Sequence, residues 1–315
     1  MNIKNKYPRM QGRDMLTLKD YNSVEIGAIL NLATELKSEH KNRVPHRYLE
    51  GKTLAMIFQK SSTRTRVSFE VGMCQLGGSA LFLRSGDLQM GRGELFKDTA
   101  RTLSRYVDGI MIRTYEQSEV EELAYHANVP VINGLTDMFH PCQALADLLT
   151  IKELKGDLKK VKLTYLGDGN NVAHSLMLSG AKMGMEVTVC TPKEYEPNKD
   201  IVALSQKEAL ESGGKIMLTE DPQSAVKETD FIYTDVWTSM GQEKESSARM
   251  KALFPYQVNK GLLKDTKENS YIMHCLPAHR DEEITDEVFE LFAETIFEQA
   301  ENRLHVQKAI MTLVM

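Results

Sequence analysis

The chain has 315 residues, 42% hydrophobic and 26% charged, with 39 Lys and Arg against 44 Asp and Glu for a net charge of −5. That length fits two domains of about 150 residues and buries about 75% of the unfolded chain's surface, so the fold needs no disulfide or metal staple. The acidic balance excludes a broadly basic nucleic-acid binder, and no apolar run approaches the ~18 residues of a transmembrane helix, so neither nucleic acid nor membrane is expected as a partner.

The opening residues, MNIKNKYPRMQGRD, carry four cations before Asp14 and no apolar stretch, which reads as a polar tail and not a secretory signal. Thr53–Phe58 reads as a strand and Arg64–Leu76 as a helix closed by Gly77 and Gly78, with Val67, Val71 and Cys74 as its expected buried face. A helix over Leu95–Val107 leads to a strand at Gly109–Thr114. A helix over Val120–Ala127 leads to a strand at Val129–Asn133, and Pro141–Leu154 reads as the next helix. A polar break, KELKGDLKK, follows around Gly156. Strands then read at Val161–Leu166, Glu186–Cys190, Lys215–Thr219, Phe231–Val236 and Tyr271–Leu276, with helices over Val172–Met183, Lys199–Ser212 and Met250–Leu263. Glu301–Met315 reads as an amphipathic helix able to pack on either half. Such alternation predicts an α/β fold of two doubly wound parallel-sheet domains. Cys74, Cys142, Cys190 and Cys275 are far apart and form no CxxC pair, which argues against a disulfide framework or structural zinc and for a reducing, cytoplasmic setting.

Ligands of open α/β sheets bind at the carboxyl ends of strands, so the loops there carry the functional signal. Gln59–Arg66, QKSSTRTR, sets four hydroxyls and two guanidiniums at a helix start. That suits a phosphate dianion, although an N-cap beside a solvated arginine has the same spelling. Arg113 ends an apolar strand and reads either as a ligand or as a surface arginine. In His140-Pro141-Cys142-Gln143 the proline suits the first helical position, leaving His140 and Gln143 as donors for a carbonyl oxygen or as ordinary cap residues. Asp235–Gly241, DVWTSMG, offers a carboxylate and a turn able to close over a ligand, or an ordinary loop with Trp237 and Met240 buried. His274-Cys275-Leu276-Pro277 reads as a nucleophile or metal site, or as a structural cysteine in a strand. Gly167-Asp168-Gly169-Asn170-Asn171 imitates a dinucleotide loop. It lacks the third glycine, and the strand ending at Cys190 runs into Thr191-Pro192 with no ribose-binding acid immediately after it, so NAD is not expected.

Taken together, STRTRVSFE at Ser62–Glu70, QMGRGE at Gln89–Glu94, DTARTLSR at Asp98–Arg105, HPCQ at His140–Gln143, GDGNNVAHS at Gly167–Ser175, HCLP at His274–Pro277 and ENRLH at Glu301–His305 resemble the carbamoyltransferases. SMG at Ser239–Gly241 with HCLP resembles the ornithine branch of the aspartate/ornithine carbamoyltransferase superfamily. The resemblance implies transfer of the carbamoyl group of carbamoyl phosphate to the δ-amine of L-ornithine, giving citrulline and phosphate, without metal or organic cofactor. It implies a carbamoyl-phosphate domain over residues 1–150, joined by the C-terminal helix 300–315, and an ornithine domain over residues 151–299. It also implies a homotrimer with shared active sites, alone or assembled further, working in arginine metabolism.

By the same resemblance Ser62, Thr63, Arg64 and Thr65 hold the phosphate; Arg113, His140 and Gln143 hold the carbonyl end; and Arg303 adds a cation. Gln89 reaches a neighbouring subunit's site. Asn171, Asp235, Ser239 and Met240 bind the α-amino and α-carboxylate groups of ornithine, and Cys275 with the Leu276 backbone sits beside the reacting groups. Arg64, Arg113, His140, Gln143 and Cys275 are the expected catalytic set.

Overall fold

Strands that are buried on both faces return parallel through crossover helices, and this pairing organises each half of the chain. The computed structural model describes residues 6–238 and 245–315. The chain falls into two units, Met1–Leu149 with Glu301–Met315, and Thr150–Ala300.

The first unit runs α1 (Ser23–Lys41), β1 (Thr53–Phe58), α2 (Thr63–Gln75), β2 (Ser79–Arg84), α3 (Phe96–Leu103), β3 (Gly109–Arg113), α4 (Gln117–His126), β4 (Val131–Leu135) and the start of α5 (Pro141–Lys155). A capping box begins α1: the Asn22 side chain accepts from the Glu25 N–H at 3.0 Å, and Glu25 accepts from the Asn22 N–H at 2.9 Å. The four strands are parallel in the order β2-β1-β3-β4. Ile57, Ile110, Ile112, Val120, Leu123 and Val131 form a buried cluster, and burying each such chain contributes ~1.5–3 kcal/mol. Because β1 lies between β2 and β3, the chain departs to one side of β1 and later returns on the other. That leaves a crevice at the carboxyl ends of β1 and β3, where Phe58 pairs with Arg113.

The second unit runs β5 (Lys162–Leu166), α6 (Asn171–Lys182), β6 (Glu186–Cys190), α7 (Lys199–Ser212), β7 (Lys215–Thr219), α8 (Pro222–Val226), β8 (Phe231–Thr234), α9 (Ser246–Leu253), α10 (Lys260–Leu263), β9 (Tyr271–His274) and α11 (Asp286–Leu291). Its parallel order is β7-β6-β5-β8-β9, so the same reversal falls between β5 and β8. Leu166 pairs with Thr234, and Thr234 with His274. Gly167, Asp235 and Cys275 therefore each stand one residue beyond a common level.

The last helix, α12 (Ala293–Val314), begins in the second unit and ends packed on the first. Lys37 Nζ donates to Asn302 Oδ1 at 2.6 Å, and the Gly12 N–H donates to the Val314 carbonyl at 2.8 Å. The expected amphipathic character is wrong, because Gln307, Lys308 and Thr312 are as buried as Leu313. Lys308 is accommodated by His46 Nε2 and Gln75 Oε1, both at 2.8 Å. The expected inner face of α2 is also wrong. Val67, Val71 and Cys74 are exposed, while Thr65, Phe69, Gly72 and Met73 face inward. Both faces of α2 carry apolar residues, and Gly72 lets Met311 and Lys308 approach the inner one, where a Cβ would meet them at 3.0 and 3.2 Å. The helix expected over Met250–Leu263 breaks into α9, a short 3-10 turn at Phe254–Tyr256 and α10, because Pro255 supplies no N–H to the ladder. Strand β4 starts two residues later than expected, just after Pro130.

Candidate active site

In the first unit the site is built around the start of α2. Ser62 is its N-cap in extended backbone, and its hydroxyl accepts from the Thr65 N–H at 3.2 Å. Thr63 at the first helical position is exposed and Arg64 half-buried, while Thr65 is buried. The first turn therefore offers backbone N–H groups and a partial positive charge beside hydroxyls. From the far end of the chain, Arg303 on α12 donates through Nη2 to Thr65 Oγ1 at 2.9 Å. A buried guanidinium thus lies against the helix start. Arg113 ends β3, buried, and its carbonyl accepts from the Gln59 N–H at 2.9 Å, which ties it to the loop entering α2.

His140 precedes Pro141, the first residue of α5, and its carbonyl accepts from the N–H groups of Gln143 and Ala144 at 3.1 and 3.2 Å. Burial, then the Arg303 and Arg113 charges, hold its imidazole well below the ordinary histidine range, so it is neutral at physiological pH. Gln143 Nε2 donates to Asp147 Oδ1 at 2.8 Å, one helical turn on. Gln143 Oε1 is buried without a hydrogen-bond partner among the described residues. Burial pushes the Cys142 thiol up to about 12, so it is an uncharged packing group. Gln89 is exposed at the head of a separate short 3-10 turn, Gln89–Arg92.

In the second unit the site gathers around Asp235, just beyond β8. Its Oδ1 accepts from the Val236 N–H at 2.8 Å and from Cys275 Sγ at 2.9 Å, and its Oδ2 accepts from Asn170 Nδ2 at 2.9 Å. Asn170 caps α6, of which Asn171 is the first residue. The GDGNN turn is shaped by packing: a Cβ at Gly169 would lie 2.3 Å from the Pro197 nitrogen. Asp168 pairs with Arg249 Nη1 at 2.8 Å, and the same guanidinium donates to the Trp237 carbonyl at 3.3 Å. Burial raises the Asp168 pKa against the opposing pull of Arg249. Trp237 is buried, whereas the expected ligands Ser239 and Met240 lie outside the described residues.

Beyond β9, His274 and Cys275 turn to different partners. His274 Nδ1 accepts from the Leu276 N–H at 2.9 Å, so Nε2 carries the proton and donates to Glu283 Oε1 at 3.0 Å. The same carboxylate oxygen accepts from the His279 N–H at 2.7 Å. Leu276 sits at φ 59° before a cis bond to Pro277. Glu283 and Asp147 stand in none of the sequence motifs, and Asn170 lies inside GDGNN with no role assigned to it there; each hydrogen-bonds an expected site residue. Among the described residues His279, Glu282 and Glu283 bring three potential metal ligands within 4.8 Å of one another, but Glu283 already anchors the turn after β9. No helix among the described residues is long and apolar enough to cross a membrane.

Residues 13–153 match the family model described as the aspartate/ornithine carbamoyltransferase carbamoyl-P binding domain, and residues 159–314 match its Asp/Orn binding domain. The second match runs through α12, whose later turns pack with the first unit. The chain is 58% identical over 306 residues to the anabolic ornithine carbamoyltransferase of Pyrococcus furiosus, covering 97% of each. It is 58% identical over 305 residues to the ornithine carbamoyltransferase of Carboxydothermus hydrogenoformans, covering 97% of this chain and 98% of that one. A solved structure of the Pyrococcus furiosus enzyme superposes with a TM-score of 0.94 at 57% identity, over 98% of both chains.

Proposed function

Since the chain belongs to the aspartate/ornithine carbamoyltransferase family, we infer that it transfers the carbamoyl group of carbamoyl phosphate to the δ-amine of L-ornithine, forming L-citrulline and phosphate. The reaction belongs to arginine metabolism, and the anabolic name of the Pyrococcus furiosus relative favours the biosynthetic direction.

Carbamoyl phosphate is assigned to the first unit. Ser62, Thr63, Arg64 and Thr65 take the phosphate, and Arg113, His140, Gln143 and Arg303 take the carbonyl end. The supporting observation is the hydrogen bond of Arg303 to Thr65, which adds a buried cation to a helix N-terminus. Ornithine is assigned to the second unit. Asp235 receives the α-ammonium, Asn171 the α-carboxylate, and Ser239 and Met240 complete that end. Cys275 and the Leu276 backbone border the reacting amine and carbamoyl group. The neutral δ-nitrogen attacks the carbonyl carbon, donors from Thr65, Arg113 and His140 stabilise the oxyanion, and the carbon–oxygen bond to phosphate then breaks. Each such donor is typically worth ~3 kcal/mol. Arg64 and the start of α2 take up the charge gathering on the departing phosphate.

The assembly reading is a homotrimer in which Gln89 serves a neighbour's site. It is supported by Val67 and Val71 standing exposed on α2, and by Leu81 exposed on the edge strand β2. The cytoplasmic reading rests on the spacing of Cys74, Cys142, Cys190 and Cys275, none of which is joined to another by a disulfide among the described residues. Offering ornithine, putrescine and aspartate in parallel with carbamoyl phosphate tests the acceptor: citrulline from ornithine alone is expected. Turnover of putrescine at a comparable rate overturns the α-amino-acid clamp.

A further inference from the structure

We propose that Asn170 is a positioning residue for the acceptor, holding the Asp235 carboxylate in register with the start of α6 and acting on ornithine only through Asp235 and Asn171. The inference rests on the assignment of ornithine to this unit. Asn170 Oδ1 receives three donors: the Val172 N–H at 2.9 Å, the Ala173 N–H at 3.3 Å and the Tyr165 hydroxyl at 3.2 Å. An oxygen so loaded fixes which end of the amide is which, since a flipped NH₂ would face three donors. Nδ2 therefore points at Asp235 Oδ2, 2.9 Å away.

Asp235 needs that contact to be held on both sides. Its Oδ1 is occupied by the Val236 N–H and Cys275, and the direction of Oδ2 is set by Asn170. The residue after Asn170 is Asn171, the first of α6. One amide thus links the group assigned to the α-ammonium with the group assigned to the α-carboxylate. Tyr165, which donates to the amide, is itself stacked on Tyr233 of the neighbouring strand with ring centroids 5.9 Å apart.

The cap and the positioning role are separable by substitution. Asn170→Asp keeps an oxygen for the Val172 and Ala173 N–H groups, and Asp is as good an N-cap as Asn. It also sets a second carboxylate against Asp235, where like charges disfavour each other. Asn170→Ser keeps a cap but is too short to reach Oδ2. Both variants are purified beside the parent, and melting temperature and the KM values for both substrates are measured. The expected result is a carbamoyl-phosphate KM within about twofold and an ornithine KM raised about 10- to 100-fold, as for the loss of a hydrogen bond to a charged group, with a near-parental melting temperature for Asn170→Ser and a lower one for Asn170→Asp from the like-charge contact. Affinity for L-norvaline, which lacks the δ-amine, falls by the same factor. An unchanged ornithine KM in Asn170→Asp overturns the proposal, as do equal rises in both KM values. A parent that makes no citrulline while binding L-norvaline overturns the assigned reaction instead.

Discussion

The δ-amine of ornithine resembles the lysine side chain, with an ordinary pKa of ~10.4, so presenting it neutral at pH 7 costs ~4.6 kcal/mol at 1.36 per unit. The charges of Arg113 and Arg303, which disfavour a charged His140, would likewise disfavour an ammonium brought up to bound carbamoyl phosphate. His140 is already neutral and titrates far below the working range. Activity at subsaturating ornithine therefore rises from about pH 6 to about pH 8 on the substrate's account, and a flat profile contradicts the neutral-amine mechanism. Cys275 is read as a positioning group: its thiol donates to Asp235, while His274, the only candidate base beside it in sequence, is engaged by Glu283 and the Leu276 N–H. A serine retains the donor. Cys275→Ser thus keeps turnover within about tenfold of the parent, with no burst of product in the parent. Loss of nearly all turnover together with a parental burst marks covalent catalysis instead. At this scale the sequence announced residue types but not their partners. Arg113, His140 and Cys275 were readable from their places at strand and helix ends, whereas Glu283 and Asn170 act through folded neighbours.

Helix α12 buries polar residues that its sequence would place in water. Its tail was legible as a helix from Leu304, Ala309 and Leu313, yet its polar residues suggested a solvent face that does not exist. Lys308 is buried against His46 and Gln75 and is lowered to about 8, chiefly by desolvation. His305 is buried too and lowered to about 3 by desolvation and then by Lys308, Lys37, His40 and Lys41, which outweigh its contact with Glu301 at 3.1 Å. The folded pKa lies below the unfolded value of ~6.5, so the unfolded chain binds the extra proton first as pH falls. The part of the stability governed by His305 is complete above about pH 6.5 and declines by up to ~1.4 kcal/mol per pH unit below it. The urea midpoint accordingly drops between about pH 7 and about pH 5, and the drop is smaller in His305→Gln. An identical drop in both contradicts the assignment. Helix α2 was misread for a different reason: Val67 and Val71 have core-like spacing, but Phe69 and Met73 have it as well, and periodicity alone cannot choose between two apolar faces.

Across the whole molecule, alternation of strand and helix was enough to predict two parallel-sheet halves. Strand order was not, because it depends on which side each crossover returns. The reversals fall between β1 and β3 and between β5 and β8, and the loops at those points carry STRTR, Arg113, GDGNN and Asp235. Each cluster of ligand candidates therefore sits where an open α/β sheet binds ligands. The exposed Val67 and Val71 extend the account to assembly. If the proposed trimer uses this face, Val67→Asp with Val71→Asp shifts the mass in analytical ultracentrifugation from three chains toward one, with the far-UV circular dichroism of the folded chain retained. A trimer that survives both substitutions contradicts the use of this face.

Carbamoyl phosphate is proposed to bind the first unit and ornithine the second. Steady-state kinetics of Arg64→Ala and Asp235→Ala, with each substrate varied in turn, test it most directly. Arg64→Ala raises the KM for carbamoyl phosphate and lowers kcat, while Asp235→Ala raises the KM for ornithine and leaves that for carbamoyl phosphate near the parental value. The opposite pairing of variant and substrate contradicts the account.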